Sequence, residues 1–252
     1  MQEFPLTRTN RLKLARAFAQ HPRVDTGIEC ALEDQLGSAW VDDGESPTIY
    51  LIIQGGFFCY VAGDATSPAG QALLPKLAGG HMLMPSPGGW EAAVCAHFEK
   101  LYPLTRHSFS SAALALEHLQ HLADQQPLAA QVRRVDAELA ANTPEPFLAL
   151  SSFESAEDFV QRGIGYVLFD GDVVIGGAYS SLVNSRAIEV SLFVDEAHRR
   201  QGAATALSCA LLTWCLEHQI RPNWDAANDE SVGLATKLGY TPTGSYTAYF
   251  IP

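Results

Sequence analysis

The sequence predicts an α/β protein of the mixed-sheet α+β kind, with a smaller N-terminal α/β domain over residues 1–125 and a second domain over residues 126–252. Three observations predict this. At 252 residues the chain exceeds the usual single compact domain. Short β-rich runs alternate with amphipathic segments along its length. Hydrophobic residues make up 47% of the chain, ample for a sizeable core.

The elements follow in order. Residues 8–20 carry Leu12, Leu14, Ala15, Phe18 and Ala19 at helical spacing with Arg and Lys between them. Residues 49–53 and 57–61 are β-rich runs around Gly55-Gly56, which reads as a hairpin. A helix is expected over 69–77, a short strand over 81–84, and a Pro/Gly/Ser loop over 85–89. Residues 90–101 have helical spacing, and 104–109 read as a strand. A helix then bears Leu114, Leu116, Leu119 and Leu122 and ends near Pro127. No catalytic spacing stands out in this half.

The second half is more legible. A short strand over 130–135 is followed by a helix over 136–141, which Asn142-Thr143-Pro144 stops. Ser155 caps a further helix, with Asp158 three residues on and Glu157 adding negative charge to the first turn. Residues 166–169 and 173–180 are strands joined by Asp170-Gly171-Asp172, a tight hairpin signal. Another strand spans 188–194. Residues 203–217 put Leu207, Ala210, Leu211, Trp214 and Cys215 on one helical face. A strand over 222–226, a helix over 231–238 ended by Gly239, and a last strand over 246–251 complete the chain.

Charge and composition exclude several classes. A net charge of −12 makes nucleic acid and an anionic membrane surface poor partners and favours a neutral or cationic substrate. The longest apolar stretch, 49–62, is broken by Gln54-Gly55-Gly56 and is too short to span a bilayer. The N-terminus lacks a basic segment followed by an apolar one, so a cytoplasmic protein is expected. The five cysteines form no C-x-x-C pair and read as buried hydrophobes in a reducing compartment. His118 and His121 lack further ligands, so no metal is expected.

The segment that carries chemistry lies between a strand and the long helix: Arg199, Arg200, Gln201, Gly202, Ala203, Ala204 and Thr205. Small residues let backbone approach a ligand closely. The helix N-terminus offers unpaired N–H groups and the positive end of a dipole to an anion, and two arginines add charge. Alone, the segment reads equally as a pyrophosphate cradle and as an ordinary basic loop before a helix.

Its surroundings narrow the choice. Arg-x-x-Gly-x-Ala after Ile-Glu-Val-Ser-Leu-Phe-Val resembles motif A of the GCN5-related N-acetyltransferases, the GNAT family. The run Trp224-Asp225-Ala-Ala-Asn228, then Ser231, then Leu234-Ala-Thr-Lys237-Leu-Gly239-Tyr240 resembles motif B. It is similar to the branch that includes the zwittermicin A resistance type, which Gly163-Ile-Gly165-Tyr166 and Tyr246-Thr-Ala-Tyr249 also match. The resemblance covers residues 128–252.

The resemblance implies a GNAT acyl-CoA N-acyltransferase fold in the C-terminal domain, with acetyl-CoA as co-substrate. In that fold two parallel strands splay and the pantetheine arm inserts between them. Leu192, Phe193 and Val194 then offer backbone groups to the pantetheine amides. The turn from Arg199 or Arg200 to Thr205 wraps the pyrophosphate, and Asn228 and Ser231 contact the arm from the other side. The implied reaction is direct attack by a primary amine of a small molecule or peptide on the thioester. A non-catalytic acyl-CoA-binding sensor or interaction module is the alternative, and a structural pseudoenzyme a third.

Amine attack needs a neutral amine, which a base supplies, and an oxyanion donor, while the coenzyme A thiolate is a tolerable leaving group with or without a proton source. Glu189 is the first candidate base, because simple alternation puts Glu189, Ser191 and Phe193 on one strand face. A bulge, common on this strand in the family, flips that face. Asp225 is the second candidate. Many family members place a tyrosine four residues beyond the Ser231 position, where this chain has Ala235, so Tyr246 or Tyr249 is left for the acid role. The N-terminal half reads as an acceptor-site region or a degenerate GNAT-like half, and a homodimer is left open.

Overall fold

The computed structural model describes residues 1–21, 26–33, 35–77 and 79–252. These form two compact units, residues 1–106 with 245–252, and residues 107–244.

The first unit runs β1 (Gln2–Glu3), α1 (Arg8–Ala17), α2 (Thr26–Leu32), β2 (Ser38–Val41), β3 (Tyr50–Gln54), β4 (Phe58–Ala62), α3 (Pro68–Leu73), β5 (His81–Leu83) and α4 (Trp90–His97), then enters β6 (Tyr102–Ser110). Strands β1 to β4 pair antiparallel in sequence order, and β5 lies parallel to β4. The expected hairpin forms, with Gly55 and Gly56 at φ 56° and 66°, where a Cβ would be penalised. Both sheet faces are buried, and successive residues serve opposite faces. Ile52, Tyr60 and Ala62 pack with Leu14 of α1 and Ile28 of α2. Leu51, Cys59 and Val61 pack with Leu73 of α3 and with Trp90 and Val94 of α4. The helix expected over 69–77 ends at Leu73 and continues as a 3-10 turn, since Pro75 lacks the N–H an α-helix needs. Elements β1, α2 and β2 have no counterpart in the sequence expectations.

The second unit continues with α5 (Leu116–Asp124), β7 (Val132–Arg134), α6 (Ala137–Asn142), α7 (Ala156–Arg162), β8 (Gly165–Asp170), β9 (Val173–Val183), β10 (Ala187–Val194), α8 (Ala203–Glu217), β11 (Arg221–Asn223), β12 (Asp225–Ala226) and α9 (Asp229–Leu238). Strand β13 (Thr241–Ile251) closes the chain. Its residues 249–251 pair antiparallel with β5 in the first unit. One sheet has the order β11-β10-β9-β8-β7. All its pairs are antiparallel except β10 with β11. Asp136 and Ser155 cap α6 and α7 by accepting from the N–H groups of Leu139 and Asp158.

The second unit begins at residue 107, so the division expected at 125/126 falls inside it. The physical reason is α5. Its Leu119 and Leu122, with Phe109, bury against Cys209 and Leu212 of α8 and Leu238 of α9. The strand expected over 222–226 is broken into β11 and β12. The helix expected from Ser231 starts at Asp229, because Asn228 caps it through the Ser231 N–H at 2.9 Å.

Candidate active site

Strands β10 and β11 run side by side for three residues and then part. The partners are Ala187 with Arg221, Ile188 with Pro222, and Glu189 with Asn223. Beyond them, residues 190–194 pair with β9, while Asp225 and Ala226 pair with Ser108 and His107 of β6. One edge of β10 therefore opens where the two parallel strands diverge. Trp224 stands at the parting. It is 3% exposed, packs on Tyr240 and donates its indole N–H to Oγ of Ser231 at 3.1 Å.

Side chains of β10 alternate through this opening. Val190 and Leu192 pack with Cys209, Leu212 and Ala235 on the helix side. Ser191 is the register partner of Tyr179, and Phe193 meets Phe147 edge-on at 5.6 Å on the other side. Glu189 shares that second face, half-buried, and accepts a hydrogen bond from Nδ2 of Asn223. The expected bulge exists at Glu189/Val190, but its extra residue is Ser181 on β9. The face of β10 is consequently not flipped, and Glu189 is engaged by the neighbouring strand rather than sent to solvent.

The turn into α8 is built on left-handed backbone. Arg200 and Gly202 take positive φ values of 63° and 89°. A Cβ on Gly202 would stand 2.2 Å from Oε1 of Gln126. Helix α8 has no side-chain cap and no acidic residue in its first turn, and its ladder begins with Ala206 N–H to the Gly202 carbonyl. The N–H groups of Ala203, Ala204 and Thr205 thus precede that ladder. Arg199 donates Nε to the Val194 carbonyl at 3.3 Å and pairs with Glu196 at 3.3 Å. Arg200, 85% exposed, lies 3.7 Å from Glu230. Gln201 donates to the Ala197 carbonyl at 3.0 Å. Lys237, which the sequence did not place here, reaches Oγ1 of Thr205 at 3.0 Å from the last turn of α9.

The remaining candidates are distributed less evenly. Asn228 and Ser231 lie in the first turn of α9, each already bound to a neighbour as described. Asp225 is half-buried on β12. Ala235 is 0% exposed within the Trp224–Leu212 cluster. The nearby phenol of Tyr240 donates to the Pro222 carbonyl at 3.1 Å, and burial pushes its pKa well above the ordinary tyrosine value. Tyr246 belongs to the first unit and packs on the Phe4–Leu14–Ala248 cluster. Tyr249, in the same unit, donates to Glu91. Among the described residues no group of three or more His, Cys, Asp or Glu could hold a metal ion, and no helix is long and apolar enough to cross a membrane.

The sheet is mixed, and its parallel pair opens beside a glycine-led helix N-terminus. The family model described as GNAT acetyltransferase matches residues 15–249, and the chain belongs to that family. A GCN5-related N-acetyltransferase-like protein from Streptococcus suis 89/1591 shares 28% identity and a TM-score of 0.83, over 96% of this chain and 98% of that one. The uncharacterized N-acetyltransferase YdfB of Bacillus subtilis (strain 168) is 28% identical over 100 residues. That match spans 39% of this chain and only 38% of the relative's length. A tandem GNAT protein from the clavulanic acid biosynthesis pathway has a TM-score of 0.57 at 18% identity, over 99% of this chain and 97% of that one, a likeness of fold alone.

Proposed function

We propose that the chain is an acetyl-CoA-dependent N-acetyltransferase that acetylates a primary amine of a small molecule or peptide. The observation that carries this reading is the parting of β10 from β11 after Glu189 and Asn223, beside the uncapped N-terminus of α8. Gly202 and the following N–H groups suit a pyrophosphate, with Arg199, Arg200, Gln201, Ala203, Ala204 and Thr205 around it. The open edge at Leu192, Phe193 and Val194 suits the amides of a pantetheine arm, with Asn228 and Ser231 opposite. When bound, acetyl-CoA supplies the activated acyl group.

An acceptor resembling lysine has a pKa of about 10.4, so roughly one molecule in two thousand is neutral at pH 7. Glu189 is the proposed base that takes the ammonium proton, directly or through water, and Asp225 is the second candidate. A β10 backbone N–H near Phe193 serves the developing oxyanion. The coenzyme A thiolate is a tolerable leaving group without an acid, and no residue is assigned to that role. The fold likeness to a tandem GNAT protein favours reading the first unit as a degenerate GNAT-like half.

The buried Ala235, where many relatives carry a tyrosine, motivates the second reading, an acyl-CoA-binding module without turnover. Free-thiol release from acetyl-CoA with a panel of amines separates the two. Amine-dependent release supports the enzyme. Saturable binding with no release across the panel supports the module, and absence of any thermal shift with acetyl-CoA rejects both.

A further inference from the structure

We infer that Asn223 is a positioning residue that fixes the Glu189 carboxylate at the point where β10 and β11 part. The inference rests on the proposed role of Glu189 as base. The two residues are the last register partners of the parallel pair, so their side chains leave the sheet on the same face. Nδ2 of Asn223 donates to Oε2 of Glu189. On the opposite side, Oγ of Ser181, the extra residue of the β9 bulge, donates to the Glu189 carbonyl at 3.3 Å. One strand therefore holds the main chain of Glu189 and the other its carboxylate.

The chemistry of residue 223 fits this task. A glutamate side chain has three rotatable bonds, and a base must keep its oxygens within hydrogen-bond reach of the proton it removes. An amide supplies a neutral donor that neither neutralises the carboxylate as a lysine would nor repels it as an aspartate would. Both residues are half-buried, which limits competition from water for the same oxygen. Asn223 itself is not proposed to touch the reacting atoms.

A double-mutant cycle tests the inference, using the best amine of the panel. Asn223→Leu is expected to lower kcat about tenfold, with the acetyl-CoA Kd unchanged within about twofold. In a Glu189→Gln background the same substitution is expected to cause no further loss, because there is no base left to position. An equal loss in both backgrounds, or no loss in either, overturns the inference and leaves the base assignment standing. If Glu189→Gln alone keeps the full rate, the base assignment fails and the positioning role falls with it. Asn223→Ala, with its melting temperature measured, replaces the leucine variant if that one does not fold.

Discussion

The indole N–H of Trp224 donates to Oγ of Ser231 across 3.1 Å, tying the strand that leaves the parting to the first turn of α9. Trp224 is 3% exposed, so its N–H is shielded from water and depends on that hydroxyl. Ser231→Ala is expected to destabilise the fold by about 1–3 kcal/mol through an unsatisfied buried donor. Asn228→Ala removes the cap and is expected to cost about 1 kcal/mol, with Asn228→Asp close to neutral. Denaturant titration of the three variants checks this; no change for Ser231→Ala means that the bond contributes nothing net.

Gly202 is favoured by its φ of 89°, and Gln126 Oε1 lies 2.2 Å from the place where a Cβ would stand. Gly202→Ala is expected to cost about 1–2 kcal/mol for a left-handed L-residue, because the end of the glutamine side chain can swing aside. Gly202→Glu is expected to abolish acetyl-CoA binding by placing a carboxylate at the helix N-terminus. Calorimetry with acetyl-CoA reads the outcome, and intact binding by Gly202→Glu places the phosphate site elsewhere.

Arg200 is 85% exposed and its pairing to Glu230 is loose, so it contributes little to stability. Arg200→Ala is expected to leave the melting temperature nearly unchanged and to weaken acetyl-CoA binding about fivefold to tenfold, the cost of one charge-assisted contact. Rising salt should narrow the difference between wild type and variant. Equal affinities at low salt count against an arginine–phosphate contact.

Burial pushes the thiols of Cys59, Cys209 and Cys215 up to about 12, 11 and 12 from an ordinary value of 9.0. In the unfolded chain these thiols ionise near pH 9, whereas the folded chain retains their protons. Between pH 9 and about 11–12 the unfolded state therefore binds fewer protons, and stability falls as pH rises. Of the five free cysteines only Cys95 is exposed. Iodoacetamide at pH 8 should alkylate one thiol in the native protein and five after denaturation. A second fast native thiol contradicts the packing described here.

The separate roles of Glu189 and Asp225 are expected to show in rate–pH profiles. Glu189→Gln should lower the rate most strongly near neutral pH and least at high pH, where more of the acceptor amine is already neutral. Asp225→Asn should change the profile little if Glu189 is the base. Full rate for both variants across pH 6 to 9 removes both from the role.

Much of the fold was legible because local chemistry agreed with it. The apolar stripe over 203–217 became α8 with the same limits, and Ser155 capped α7 as its Asp158 pattern implies. Gly55-Gly56 and Asp170-Gly171-Asp172 formed the hairpins that their left-handed glycines favour. The short elements β1, α2 and β2 escaped because two to seven residues carry too little periodicity to stand out. The exact unit boundary escaped too, since α5 is placed by burial against α8, a contact about ninety residues away in sequence that no local signal encodes.

The place of the turn at Arg199–Ala204 before α8 was legible in the sequence, because a glycine followed by small residues marks a helix start. What surrounds it was decided only by tertiary structure. The break of the expected 222–226 strand at Trp224, the reach of Lys237 to Thr205, and the pairing of Asn223 with Glu189 join residues 32 to 34 positions apart, or depend on a ring finding its burial site. The bulge shows the same division. Its expectation came from the strand's resemblance, but the extra residue went to Ser181 on β9. Local conformational preference writes the turn, and long-range packing decides which side chains face the parting strands.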